Sequence, residues 1–480
     1  PPSRPLAVRR RARPRAPRRS APRAAPPGRA APAIWIAAGA GADPSSGVAA
    51  VVERREIPPA SDAAKSRDFI VPGRRFGVFS SYGVFAMMLG AAGLPIYIHA
   101  PKYFVDQYGV SLSTLGLALF ALRSLDFVQD PILAALAQRS RERGQWPIYA
   151  SILLLGLGML GLFALAPPFS AIIWFSLCLA MVFSAFSFLS IRFYANGVHA
   201  FGAKGQLRLA RWRETGSLLG ICVAAIAPTL LLNFSAQPFA AFAMGFCGLC
   251  LMAGILMRGY WHPIAQAPAS VGIAAVLSDR QLRHFLLLAM LNSAPVAVSS
   301  TLFLFYVESR LGAADWAGAL LILFFLAAAV SAPIWTYLAA HFGPKQVLLL
   351  AMSAAIVGFF YAYFLQEGQI LAFALISLVS GATLGADMTL LPALFASHLA
   401  QRSNGAEIGF GLWNFVSKMT LAFAAVLVLP LLEWFGYQPG LTNAQKGLTA
   451  LSAGYALLPC LLKILAIVAL VRLPMQGHRK

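Results

Sequence analysis

Charge is scarce in this chain, and acidic charge scarcest. Asp and Glu together number 17 in 480 residues, and all charged residues make up 11%. Soluble domains carry roughly 25%, so the composition argues against a water-soluble fold. Cysteine is sparse too. Cys178, Cys222, Cys247, Cys250 and Cys460 all sit inside apolar runs, which does not suggest a disulfide framework. Cys247-Gly-Leu-Cys250 has redox or metal spacing, but its run AFAMGFCGLCLMAGIL holds no His or acid. Two small apolar helix residues are the better reading. A phosphate-cradling loop and a His-Glu-x-x-His motif are also missing, which speaks against an ATP-driven pump or a membrane protease. No nucleophile arrangement or metal-ligand cluster stands out, so the expectation is a non-enzyme without a cofactor.

What the chain has is apolar length: 59% of it is hydrophobic. Residues 1–72 differ from the rest. They are Pro-, Arg- and Ala-rich, hold 13 of the 31 prolines, and bury too little apolar surface to offset ordering entropy, so they read as a disordered basic tail. The tail opens on Pro1 rather than Met, so a start assigned too early or a processed end stands beside a functional tail. Nucleic-acid binding is a minor reading of the tail and is not expected.

From Phe76 onward, twelve apolar runs have the roughly 20-residue length that a bilayer core of about 30 Å requires. They fall at 77–99, 111–137, 146–166, 170–195, 212–233, 238–258, 282–307, 316–340, 346–366, 370–398, 407–433 and 450–472. The expected layout is an all-α membrane protein: an N-terminal six-helix half at 73–260, a cytoplasmic loop at 261–281 and a C-terminal six-helix half at 282–475. Alternate loops carry Arg139, Arg141, Arg143, Lys204, Arg258, Arg280, Lys345 and Arg402 on one side, against Lys102, Arg310 and Lys446 on the other. That bias places both termini in the cytoplasm. The halves echo each other: Pro131-Ile-Leu-Ala-Ala-Leu-Ala137 closes the second run and Pro333-Ile-Trp-Thr-Tyr-Leu-Ala339 the eighth, as a duplicated six-helix unit predicts.

One run is anomalous. Within SLSTLGLALFALRSLDFVQDPILAALAQ (111–138), Arg123, Asp126 and Asp130 share one helical face at i, i+3 and i+7. Charges at that depth cost a few kcal/mol or more and usually face a bundle interior or a water-filled path. Two carboxylates one turn apart also suit a hard cation, which wants several oxygen ligands. A static buried salt-bridge cluster is the competing reading. Asp387, in the tenth run, is another intramembrane acid and reads equally as a proton or substrate group lining the cavity or as one satisfied by a neighbouring helix. Lys463, in the last run, is expected to snorkel.

Twelve runs with a two-fold echo resemble the major facilitator superfamily. Within it, RSLDFVQDP (123–131) followed by RSRERGQWP (139–147) resembles the glycoside–pentoside–hexuronide:cation symporters. Supporting stretches are LARWRETGSLLG (209–220), FYVESRLGAADWAGALLILFFLAAAVSAPIW (305–335) and GFGLWNFVSKMTLAFAA (409–425). The resemblance covers residues 76–475 and implies a symporter of Na⁺ or H⁺ with a small solute, most simply a sugar or glycoside. It would work as a monomer in a bacterial inner membrane. It implies a cation site at Asp126 and Asp130, with Lys418 as the eleventh-helix lysine beside them. Arg123, Gln129 and Ser187 are expected nearby, the last two as an extra carboxamide and hydroxyl. It also makes Arg213 a solute candidate, although an interfacial anchor is an equal reading of that residue.

The resemblance breaks at the sugar site. Two acids that sugar-binding members carry fall here at Gly90 and near Ser190, with Tyr194 following as a possible ring-stacking group. Lipid-like or other amphipathic solutes, an exporter, and a non-transporting sensor or assembly factor of the same fold remain open.

Overall fold

In a computed structural model of the chain, the described residues are 75–261, 272–401, 405–438 and 444–473. The tail at 1–72, expected to be disordered, and residues 262–271 of the inter-half loop lie outside them. The described residues are helical and contain no strand. A bilayer offers no water to backbone N–H and C=O groups, and a helix satisfies them internally.

We number the passes α1 to α12. They are α1 (Arg75–Tyr108), α2 (Leu112–Arg139), α3 (Trp146–Phe163), α4 and α5 within Ala171–Leu231, and α6 (Pro238–Met257). The second half has α7 (Arg280–Phe305, continued by a π turn to Arg310), α8 (Ala317–Phe342), α9 (Pro344–Phe360), α10 (Ile370–Ala400), α11 (Ala406–Trp434) and α12 (Gln445–Arg472). The 61-residue segment Ala171–Leu231 would be about 90 Å long as one helix, three times a bilayer core. It is two passes. Gly202, at φ 57° and ψ −169°, leaves the helical region and separates α4 (171–201) from α5 (203–231).

Nine segments among the described residues meet the length and apolarity of a membrane span. One of them holds both α4 and α5. With α1, whose apolar stretch is Gly77–Gly93, and α2, interrupted by its three charges, the described residues make twelve passes. Several expected boundaries were short, among them the end of α4, which runs past 195 to 201, and the start of α12, at Gln445 rather than 450. α1 continues past 99 to Tyr108, and α5 begins nine residues before 212, because Lys204, Arg208 and Arg211 made its first turns look like loop.

Close approaches position the functional helices. A Cβ at Gly90 would overlap the Ser217 carbonyl, one at Gly216 the Gly83 carbonyl, and one at Gly220 the Met87 carbonyl. Bare glycine therefore lets α1 and α5 run backbone to backbone. A Cβ at Gly411 would overlap the Ala134 side chain, which brings α11 against α2.

Apolar packing is unequal at the two ends. One buried cluster joins both halves where α2, α4 and α10 end and α7 and α11 begin: Ala137, Ile191 and Val198 pack with Phe285, Phe395 and Phe410. A second cluster is confined to the first half and a third to the other end of the second half. The halves are thus closed together at the end that carries most of the basic loops.

Candidate functional site

Ser111 caps α2, its hydroxyl accepting from the Thr114 N–H at 3.2 Å. From that start the register aims Asp126 and Asp130 inward; Asp126 is 4% exposed and Asp130 0%. The Gly411–Ala134 contact sets α11 antiparallel to α2, and Lys418, two turns beyond Gly411, then reaches both acids. Its Nζ donates to Asp126 Oδ1 at 2.7 Å, to Asp130 Oδ1 at 3.1 Å and to Ser187 Oγ of α4 at 2.6 Å. Ser187 Oγ in turn donates to Asp126 Oδ1 at 3.2 Å. Gln129 Nε2 donates to the same oxygen at 3.3 Å, and Ser184 Oγ donates to Gln129 Oε1 at 2.9 Å. Arg123 lies one turn before Asp126 and is half-buried.

This arrangement suits an exchangeable cation. Two carboxylates against one ammonium leave that triad one negative charge in excess. Asp130 Oδ2 is buried with no hydrogen-bond partner. That oxygen, like Asp126 Oδ1, Ser187 Oγ and Gln129 Oε1, is of the hard type that Na⁺ prefers. Lys418 holds two of these atoms, Asp126 Oδ1 and Ser187 Oγ, together with the other Asp130 oxygen.

A cavity of about 370 Å³ lies one helical turn from this cluster, bordered by α1, α4, α5 and, through Met388, α10. Gly90, Ser190, Tyr194 and Arg213 all line it. Arg213 is not an interfacial anchor. It sits ten residues into α5, 2% exposed, because the true helix start is near 203. Its Nε donates to Glu214 Oε1 at 2.7 Å and its guanidinium carbon stands 3.8 Å over the Tyr194 ring. The Tyr194 hydroxyl donates to the same Glu214 oxygen at 3.1 Å, while Arg213 Nη2 is buried without a partner. Ser190 accepts from Asn414 Nδ2 of α11 at 3.0 Å. The rest of the lining is largely apolar, including Leu89, Phe186, Phe193 and Ile221.

Lys463 corrects another expectation. It does not snorkel: it is 5% exposed, forms an ion pair with Asp387 Oδ2 and donates to Asn292 Oδ1 at 2.8 Å. Asp387 is both held at one oxygen by a neighbouring helix and part of a cavity wall. Two intramembrane charges of opposite sign in the second half were the available signal for this pair.

A network that sequence reasoning missed ties the halves at their closed end. Glu407, in the first turn of α11 and 1% exposed, lies within ion-pair reach of two arginines and a histidine of the first half. Arg141 Nε is 3.3 Å from Glu407 Oε1, His199 Nε2 3.5 Å and Arg192 Nη1 3.7 Å. Nearby, Ser397 Oγ of α10 donates to the Ala203 carbonyl at 3.1 Å.

Twelve passes in two halves, a charge cluster spanning those halves and a cavity bordered by both define a membrane transporter. The chain belongs to the family described as MFS/sugar transport protein, whose pattern it matches over residues 79–477. Its fold is similar to that of the E. coli fucose:proton symporter FucP, with a TM-score of 0.59, 14% identity, and 83% of this chain and 99% of that one covered. FucP in its outward conformation matches with a TM-score of 0.59, 15% identity, and 84% and 98% covered. A bacterial homologue of the iron transporter ferroportin, in an outward-facing state, matches at 0.59 and 14%, covering 82% of this chain and 99% of that one. At these identities the likeness establishes the fold of major facilitator transporters. Curated proteins give no match.

Proposed function

We propose that the protein is a cation-coupled secondary transporter that carries a small polar solute, a sugar or glycoside, by alternating access in a bacterial inner membrane. The observation that carries this reading is Lys418: a cation of the second half shared between two carboxylates of the first. Na⁺ or H⁺ arriving at Asp126 and Asp130 competes with Lys418 for their oxygens. Occupancy of that site is thereby linked to how tightly α11 grips α2. A ligand shifts a two-state equilibrium only through its differential affinity for the states, and this competition supplies one. Solute would sit in the neighbouring cavity against Arg213, Glu214 and Tyr194, with Ser190 and Asn414 joining that cavity to the cation cluster's helices.

The test is solute accumulation by reconstituted protein under an imposed Na⁺ or pH gradient. Asp126→Asn and Asp130→Asn are each expected to abolish gradient-driven accumulation while leaving the protein folded. Unchanged accumulation with unchanged ion dependence would sink the coupling role. A second solute class has its own support: Gly90 and Ser190 stand where sugar-binding relatives carry acids, and the cavity wall is mainly apolar. Thermal stabilisation by sugars and by single-chain amphiphiles, each with and without Na⁺, separates the two, because a ligand of the native state raises apparent stability by mass action.

A further inference from the structure

The second half holds a buried charge pair that the coupling scheme above does not use. Asp387 of α10 is 6% exposed, Lys463 of α12 5%, and they are joined to Asn292 of α7. Holding such a pair inside a bundle is expensive, and well-packed apolar residues often serve stability as well or better. Two observations point beyond a static bridge. Asp387 Oδ1 is buried with no hydrogen-bond partner. The pair also borders a cavity of about 70 Å³, ample for water, lined as well by Ser299, Ser380 and Thr383.

We propose that Asp387 is a second ion-binding site, one that takes a proton, distinct from the Asp126–Asp130 cluster. The chemistry favours H⁺ over Na⁺. A hard metal cation needs several free oxygens, but Lys463 already holds one Asp387 oxygen and the Asn292 carboxamide oxygen. Much of the remaining wall is apolar: Pro295, Phe324, Leu384 and Pro459. A proton needs one acceptor, and Oδ1 is that acceptor. The groups facing Asp387 are Lys463 and Cys460 from α12, Asn292 and Ser299 from α7, Phe324 from α8 and Ile356 from α9; the charged one is Lys463. On protonation Lys463 loses its counter-ion but keeps Asn292 as acceptor, so α12 is released from α10 while staying tied to α7. The next residue, Met388, faces the large cavity beside Arg213 and Glu214. The proton site and the solute cavity therefore meet α10 at consecutive residues, about 100° apart around one turn.

The inference rests on the transporter reading, but its test does not need the solute. Infrared difference spectra of the reconstituted full chain, taken between acid and alkaline buffers, report protonated carboxyl groups. A titrating carboxyl component is expected that wild type and Asp126→Asn/Asp130→Asn share and that Asp387→Asn lacks. A band unchanged in Asp387→Asn overturns the proposal. Should Asp387→Asn fail to fold, Lys463→Gln serves instead: removing the ammonium must move the band's midpoint to higher pH, and an unmoved midpoint counts against it. If Na⁺ at fixed pH suppresses the band in the Asp126→Asn/Asp130→Asn background, the site takes a metal cation and the proton assignment falls. Failure of the coupling role at Asp126 and Asp130 would appear in accumulation assays and leave this band untouched.

Discussion

Gly90 sets what α1 can offer a solute. With the Ser217 carbonyl where a Cβ would stand, no acid fits at that position, so the missing carboxylate is tied to helix packing as well as to recognition. Gly90→Ala should lower stability by about 1–3 kcal/mol, the usual cost of overpacking a filled site, and Gly90→Asp should fold worse without gaining sugar affinity. Thermal melting and a sugar titration check both. Asp279 makes a second residue-level case. It caps α7, accepting from the Gln281 N–H at 2.8 Å and pairing with His398 at 2.9 Å. Burial pushes its carboxyl up, but the His398 and backbone hydrogen bonds outweigh that and hold it below its ordinary 3.8. Its stabilisation is thus fully present above pH 3.8 and fades as pH falls through the lowered value. Asp279→Ala should lose about 1 kcal/mol at neutral pH, with the gap in melting temperature narrowing in acid; a pH-independent gap would remove charge from this account. Arg123, Asp126 and Asp130 were legible in the sequence because charge in an apolar run is conspicuous. Glu407 was not, since a lone acid beside a basic loop looks like surface.

Among elements, α11 does most to join the halves. Gly411 meets Ala134, Lys418 meets Asp126 and Asp130, and Glu407 gathers Arg141, Arg192 and His199. Removing one member of a buried charge group commonly costs about 3–5 kcal/mol because the others stay buried unpaired. Glu407→Gln should therefore open the closed end. Spin labels at the exposed positions 139 and 341, in a cysteine-free background, should shift to longer separations; an unchanged distribution would show that apolar packing alone holds that end. Existence of the passes was readable from apolar length, but their limits were not. Basic residues mask the first turns of α5, and α1 outruns its apolar stretch.

At the scale of the molecule, closure at the basic end means that the cavity should open towards the other side. If the basic loops lie in the cytoplasm, as their charge bias predicts, a cysteine replacing cavity-lining Ser217 should react with an impermeant maleimide added outside intact cells. Protection from outside, with reaction only in inverted vesicles, would reverse the assigned orientation. Twelve passes and two halves followed from length and repetition. The meeting of Lys418 with residues some 290 positions away was expected only through the family resemblance, and the Asp387–Lys463 pair needed the side-chain geometry that joins α10 to α12. The glycine seam between α1 and α5 carries one more consequence. With Gly83, Gly90, Gly216 and Gly220 leaving no slack between the two backbones, the wall that presents Arg213 acts as a rigid mould. The opposite wall ends in Met388, an unbranched and adaptable side chain. Solute analogues altered where they meet α1 and α5 should then be refused outright, whereas those altered towards α10 should be accepted in graded fashion, giving the transporter one strict face and one tolerant one.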